Sequence, residues 1–314
     1  MTDEEAYKQF RAVRFADNKG DPFCPHCGSL GVYEYRCRQE LKCKGCFKRF
    51  SVTTGTIFHG RKMPMRHLLM AIAIFVNGAN GHAALRLSRD MCISYKTAFV
   101  LAHKLREVCG GLKKKDKLTG TVEIDGLYVG GHIRQKNYKK DRKDRRRRPF
   151  RSPERTQVIV NLRERRRGGR TLSCVCRNEV DAIQFVLDNV AETAKVRTDK
   201  GTSWGTPFAA YFRDYKAVNH DVAFSMNGVH VNWVESFHSR IRRAERGVHN
   251  RISGKLVQNY ADELGWREDH CRVDNGAQYN ILMRASARHP RSQRWQGYWR
   301  KRGPKETPKL IGSA

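Results

Sequence analysis

Two Cys-x2-Cys pairs near the start, helix-spaced apolar residues from 64 to 108, and a switch to strand-like alternation at residue 121 predict an α/β chain in three parts. They are a small four-cysteine ribbon, a helical segment and a larger mixed-sheet domain. The expected divisions are an N-terminal helix in 1–20, the ribbon in 21–60, the helical segment in 61–118, the sheet domain in 119–283 and a tail in 284–314. A chain of 314 residues has room for such parts.

Composition narrows the function. The chain carries 62 Lys and Arg against 31 Asp and Glu, a formal net charge of +31. A folded chain with that surplus calls for a polyanionic partner, and nucleic acid is the first candidate. The surplus lies mainly in 61–120, 132–156 and 284–314, whereas acids gather in 121–283. Basic flanks hold phosphates while carboxylates hold a metal, the layout of a metal-dependent nucleic-acid enzyme. Apolar content is 39%, which excludes wholesale disorder. The longest apolar run, Leu68–Val76, is far short of the ~20 residues of a membrane span, so no membrane partner is expected. Met1–Glu5 are acidic and polar, unlike a signal or transit peptide. The expected location is the cytoplasm, at the nucleoid when bound to DNA.

Thr2-Asp3-Glu4-Glu5 is a capping box ahead of Ala6, Phe10 and Val13 at helical spacing. Next, Cys24, Cys27, Cys43 and Cys46 form C-x2-C-x15-C-x2-C, the spacing of a tetrahedral four-thiolate Zn²⁺ site. Gly28 and Gly45 are expected to supply the backbone freedom of the two tight turns. Val32–Cys37 and Phe47–Val52 read as strands, and His26 as solvent-facing. Cys37, Cys92, Cys109, Cys174, Cys176 and Cys271 read as small buried hydrophobes in a reducing compartment.

Pro64 opens a helix with Leu68, Leu69, Ile72, Phe75 and Val76 on its apolar face, and Asn77–Gly81 stops it. A second helix follows within His82–Met91, with Cys92-Ile93 as the turn. Ser94 caps a third, buried through Ala98, Leu101, Leu105 and Val108. This is a helix-turn-helix layout. It sets Tyr95, Lys96 and Thr97 at the exposed start of the recognition helix, where base edges are read.

From Thr121 to Val129 the chain reads as a strand ending at Gly130-Gly131, with Glu123 and Asp125 on one face. Glu123 reads as a structural neighbour rather than a ligand. The basic loop 132–156 contains Arg145, Arg146, Arg147 and Arg148, which are assigned to DNA phosphates. Gln157–Leu162 and Thr171–Cys176 form a hairpin-like pair. Asp181 is read as capping a helix, and Lys195–Asp199 as a strand ending in a carboxylate. A helix at Pro207–Tyr215, a short strand at Asp221–Ser225 and a helix from Asn232 complete the domain.

Three antiparallel strands followed by alternating helices and strands is the order of a ribonuclease-H-like fold. Its first and fourth strands are neighbours, so Asp125 and Asp199 would converge and Glu235 would reach in from the next helix. Converging acids repel unless a cation neutralises them. Mg²⁺ (or Mn²⁺) suits such oxygen ligands and drives in-line phosphoryl displacement. Beyond the core, the aromatic and basic run Arg294–Gly303 reads either as a tail able to stack bases and hold phosphates or as a mobile, folded-back tail.

Glu-Ile-Asp-Gly-Leu-Tyr-Val-Gly-Gly from Glu123, Thr-Asp-Lys-Gly from Thr198 and His-Val-Asn-Trp-Val-Glu-Ser-Phe from His230 extend the pattern. With the ribbon and helical segment, the chain resembles bacterial insertion-sequence transposases of the DDE type that carry an N-terminal zinc ribbon. The resemblance runs from Cys24 to Cys271. It implies catalytic, metal-binding carboxylates at Asp125, Asp199 and Glu235, and an Asn at Asn232 that binds metal or the scissile phosphate. It implies 3′-strand cleavage at element ends and strand transfer into target double-stranded DNA, by a homodimer or higher oligomer. The family usually has Lys where this chain has Arg242, which with Arg243 is assigned to DNA contact; it often has Trp at His238, read as packing. The rival readings are a domesticated DNA-binding regulator, against which the intact acid triad speaks, and a structure-specific nuclease of the same fold. Against the nuclease speak the N-terminal ribbon and helical segment, since element ends must be recognised by sequence.

Overall fold

The computed structural model describes residues 1–35, 39–132, 138–141, 151–200, 204–219, 222–252 and 254–300. The assigned Arg145–Arg148, like Cys37, Asp221 and 301–314, lie outside the described residues. The chain divides into two units, 1–112 with 273–300 and 113–272.

The first unit opens with α1 (Asp3–Arg14). Its capping box is in place: Glu5 N donates to Thr2 Oγ1 at 3.2 Å and Thr2 N to Glu5 Oε2 at 2.7 Å. The ribbon is a three-stranded antiparallel sheet of β1 (Val32–Tyr35), β2 (Glu40–Cys43) and β3 (Arg49–Phe50). β2 was not foreseen. It buries Leu41 and Cys43 between the more exposed Glu40 and Lys42, an alternation too short and too charged to stand out. β3 is shorter than the Phe47–Val52 expected.

Gly28 takes φ +75°, as the first turn requires. At the matching place after the second pair it is Phe47 that takes φ +57°, so Gly45 is not the residue that turns left-handed.

α2 (Met65–Val76), α3 (Ala84–Asp90) and α4 (Tyr95–Gly111) follow. Ser94 Oγ accepts from Thr97 N at 3.3 Å, and α4 buries Ala98, Leu101, Leu105 and Val108 as its spacing predicts. α9 (Asn275–Arg288) returns to this unit and packs on α1, α2 and α4 through buried Leu282, Met283 and Ala287. The divisions therefore fall after 112 and 272, not at 118 and 283. An amphipathic helix joins whichever core completes its apolar face, and its place in the chain does not reveal which.

The second unit is built on a five-stranded sheet in the order β6-β5-β4-β7-β8. The strands are β4 (Thr121–His132), β5 (Arg151–Glu164), β6 (Thr171–Cys176), β7 (Lys195–Asp199) and β8 (Asp214–Val218). β4, β5 and β6 pair antiparallel; β7 runs parallel to β4, and β8 to β7. This is the mixed sheet of a ribonuclease-H-like fold, with first and fourth strands adjacent as expected. β5 begins at Arg151, inside the segment read as loop 132–156.

Near β8 the reading needs correction. The helix α6 is Gly205–Tyr211, and the strand is Asp214–Val218 rather than Asp221–Ser225. Phe208, Phe212 and Tyr215 have helical spacing, which carried the predicted helix too far. Tyr215 is instead in the strand, its hydroxyl 2.9 Å from Thr198 Oγ1, while Asp214 takes Arg197 Nη1 at 2.9 Å. Asp214 is thus an ion-pair partner in the sheet.

Both faces of the sheet are covered. Val122, Ile124 and Val160 pack with α5 (Ile183–Asn189) and α6 through Val186 and Phe208. Leu127, Val129 and Ile159 pack with α7 (Asn232–Arg243) and α8 (Val257–Asp269) through Phe237, Ile241 and Leu264. Asp181 does not cap α5, whose N-cap is Ala182; it exchanges hydrogen bonds with Asn178 across a 3-10 turn. Cys109, Cys174 and Cys176 are buried, but Cys92 and Cys271 are exposed: Cys92 takes φ +52° in the α3–α4 turn, and Cys271 follows α8. Among the described residues, no helix is long and apolar enough to cross a membrane.

Candidate functional site

Period-2 alternation turns Glu123 and Asp125 toward the α7 side of the sheet. Ile124 pairs with Thr198, so the next residues along the two parallel strands, Asp125 and Asp199, lie side by side. Asp125 Oδ1 accepts the Gly126 N–H at 2.7 Å. Burial drives the Asp125 carboxyl up to about 7; the Gly126 N–H opposes this, and the charges of Glu179, Asp199 and Glu235 add to it. Asp199 and Glu235 are therefore near enough for their charges to reach Asp125, although the oxygens of the three are not gathered within 4.8 Å of one another as the ribbon sulfurs are.

Glu179 is a fourth acid, missed in the sequence. It precedes the 3-10 turn before α5, and its backbone oxygen accepts Trp204 Nε1–H at 2.8 Å. Burial raises its carboxyl, against a hydrogen bond from Tyr128 and with help from Asp199. A Cβ at Gly126 would collide with the Glu179 carboxylate. That glycine, next to Asp125 in mid-strand, was the available signal.

Glu123 is fully buried and acts on the helix that carries Glu235. Its Oε2 accepts the N–H of Trp233 at 2.8 Å and of Val234 at 3.0 Å, in the first turn of α7. Its Oε1 accepts Arg165 Nε–H at 2.7 Å and lies 3.4 Å from His230 Nδ1. A carboxylate at a helix N-terminus meets orphan donors and the positive end of the dipole. β4 therefore sets Asp125 and, through Glu123, the start of α7.

Asn232 is the exposed first residue of α7, its N–H directed to His230 Nδ1 at 3.4 Å. Arg242 and Arg243 are exposed in the last turn. His238 is only 4% exposed, and its Nδ1 lies 3.3 Å from Asp125 Oδ2. Burial, with the charge of Arg242, holds its imidazole down at about 3. It belongs to the acidic site rather than to general packing, and only the tertiary fold places it there.

In the ribbon, the Sγ atoms of Cys24, Cys27, Cys43 and Cys46 all lie within 4.8 Å of one another. Cys43 Sγ accepts from Cys46 N at 3.4 Å and Gly45 N at 3.2 Å, and these N–H groups outweigh burial to lower its thiol to about 6. Four converging sulfurs backed by N–H donors fit tetrahedral Zn²⁺. His26 is exposed beside them. The hard oxygens around Asp125 suit Mg²⁺ or Mn²⁺.

At the start of α4, Tyr95, Lys96 and Thr97 are exposed. The C-terminal aromatics fold against this helix. Trp299 Nε1 donates to Lys96 O at 3.1 Å, and Trp295, 1% exposed, stacks on His103 with centroids 4.5 Å apart. Trp295 is thus core, which fits the folded-back alternative for this run rather than the base-stacking one. A cavity of about 410 Å³ lies here, lined among others by Lys96, Lys104, Tyr298 and Trp299.

Residues 117–269 match the model of the ISXO2-like transposase domain, and residues 1–49 that of the transposase zinc-ribbon domain; together they span about two thirds of the chain. The chain belongs to the insertion-sequence transposases with an N-terminal zinc ribbon. It is also similar to an uncharacterized protein in transposable element ISH50 of Halobacterium salinarum, 26% identical over 248 residues, 76% of this chain and 82% of that protein. No solved structure matches. The transposase-domain match runs from just before β4 to the end of α8 and includes Asp125, Glu179, Asp199 and Glu235. A transposase with a zinc ribbon is a DNA-binding, nucleic-acid-processing enzyme.

Proposed function

We propose that this transposase cuts the 3′ strands at the ends of its element and joins the freed 3′-OH to target DNA, both by metal-dependent phosphoryl transfer. The observation that supports this reading is a buried Asp125 carboxyl, raised to about 7 by burial first and then by the charges of Glu179, Asp199 and Glu235, whose proton a bound cation would replace. Bound Mg²⁺ or Mn²⁺ would polarise the scissile phosphate and lower the pKa of the attacking oxygen. Asp125, Asp199 and Glu235 would hold it, and Asn232, one turn before Glu235, would orient it or the phosphate. Arg242 and Arg243 would grip the backbone near the cut.

Tyr95, Lys96 and Thr97 would read the element end, and Arg145–Arg148 would hold phosphates without regard to sequence. Cutting and joining two ends would require at least a dimer on double-stranded DNA.

The test is 3′-end cleavage of a labelled end fragment beside a gel shift on the same DNA. Asp125→Asn, Asp199→Asn and Glu235→Gln should each abolish cleavage while end binding stays within about twofold, and one loss should be nearly as severe as three. Asn232→Ala should be milder. Ca²⁺ should support binding with little cutting. If Glu235→Gln cuts at the normal rate, Glu235 is not a ligand. If wild-type protein binds ends but cuts with neither Mg²⁺ nor Mn²⁺, a regulatory role replaces this one.

A further inference from the structure

The α7 side of the sheet holds a buried polar chain that ends on Asp125. Ser173 Oγ donates to Asn161 Oδ1 at 2.7 Å. Asn161 Nδ2 lies 3.1 Å from Ile159 O and 2.9 Å from His238 Nε2. His238 Nδ1 lies 3.3 Å from Asp125 Oδ2. Asn161 is 0% exposed and Ser173 3%, so water does not substitute for these partners. Register places Asn161 directly opposite both Asp125 on β4 and Ser173 on β6. The chain is therefore built into the sheet.

The donors can be assigned by chemistry. Ile159 O only accepts, so the Asn161 atom facing it must be the amide nitrogen. The second hydrogen of that nitrogen then points at His238 Nε2, which must accept and so carries no proton. The ring proton is left on Nδ1, facing Asp125 Oδ2. The Gly126 N–H thus donates to Oδ1 of Asp125, and the Nδ1–H of His238 stands 3.3 Å from Oδ2. Such donors fix a carboxylate's rotamer while leaving its charge and remaining lone pairs to a cation.

We propose that Ser173, Asn161 and His238 form a positioning relay that fixes the His238 tautomer and, through it, aims the Asp125 carboxylate. The proposal rests on Asp125 being a metal ligand. None of the three residues touches metal or DNA in this role; they act through Asp125.

The test uses the full-length protein and two measurements. With ring-¹⁵N-labelled histidine, NMR should show His238, assigned by loss of its signal in His238→Ala, protonated at Nδ1 and bare at Nε2. An Nε2-protonated His238 in the wild type overturns the relay. Mn²⁺ titration followed by electron paramagnetic resonance gives the second readout. His238→Leu fills the space without a donor and should weaken Mn²⁺ binding at least about tenfold. His238→Asn puts an amide N–H close to the place of Nδ1 and should recover most of the affinity. Equal affinities in the Leu and Asn variants would mean His238 only packs, and the relay fails. Asp125→Asn separates the two readings: if it too keeps Mn²⁺, the metal-site reading fails; if it loses Mn²⁺ while His238→Leu keeps it, the relay alone fails.

Discussion

Replacing Glu123 with Ala should be among the most damaging single changes in the second unit, although Glu123 is not proposed to touch metal or DNA. Its side chain is 0% exposed, and its loss strands the N–H groups of Trp233 and Val234 and the Nε–H of Arg165, whose charge keeps, among the described residues, only the carbonyls of Gly228 and His230. Breaking a buried ion pair by removing one partner costs about 3–5 kcal/mol. Arg165 retains 19% exposure and regains some water, which favours the lower end, near 3 kcal/mol. Losing the helix-capping bonds adds about 1 kcal/mol. Glu123→Gln keeps the size and one acceptor and should cost about half as much, since charge-assisted bonds are roughly twice as strong as neutral ones. Urea unfolding of the metal-free protein reads the stability. Amide exchange at Trp233 and Val234 reads the α7 start directly and should speed up in the Ala variant. A loss under about 1 kcal/mol with unchanged exchange would refute the clamp. A variant that stays stable but no longer binds Mn²⁺ would make Glu123 a ligand instead.

Gly126→Ala drives a methyl into the Glu179 carboxylate and to 3.1 Å from Val158 Cγ2, so it should lower both Tm and Mn²⁺ affinity. Gly126→Ala in a Glu179→Ala background should be better tolerated, as a double-mutant cycle on Tm would show. The raised Asp125 carboxyl favours the folded metal-free protein at acid pH. That contribution is full below the ordinary 3.8 and fades as pH rises through about 7, a fall in Tm that Asp125→Asn should flatten. Because a cation must displace that proton, Mn²⁺ affinity should climb up to about tenfold per pH unit below 7 and level off above it. Cys43→Ser should lose the one Zn²⁺ expected per chain, measured by elemental analysis, and loosen the ribbon, whose metal-binding energy is folding energy.

Much of this molecule is local, and local features are legible in a sequence. The four cysteines needed only their spacing, because each pair shapes its own turn. The α1 capping box, the Ser94 cap and the buried positions of α4 depend on residues within a few places of one another. The adjacency of the first and fourth strands, and so of Asp125 and Asp199, followed from an element order that matches the ribonuclease-H-like fold. What the tertiary structure decided is contact across distance. Glu123 and Trp233 are joined by a hydrogen bond 110 positions apart in the chain, and Asn161 and His238 by one 77 apart. α9 found its core far from its neighbours in sequence, and Phe208, Phe212 and Tyr215 presented a helical pattern that pairing with β7 overrode from Asp214 onward. Glu179 looked like any surface acid until Gly126 made room for it beside Asp125. Burial is what gives these groups their chemistry, and burial is set by what folds over a residue, which its neighbours in the chain do not determine.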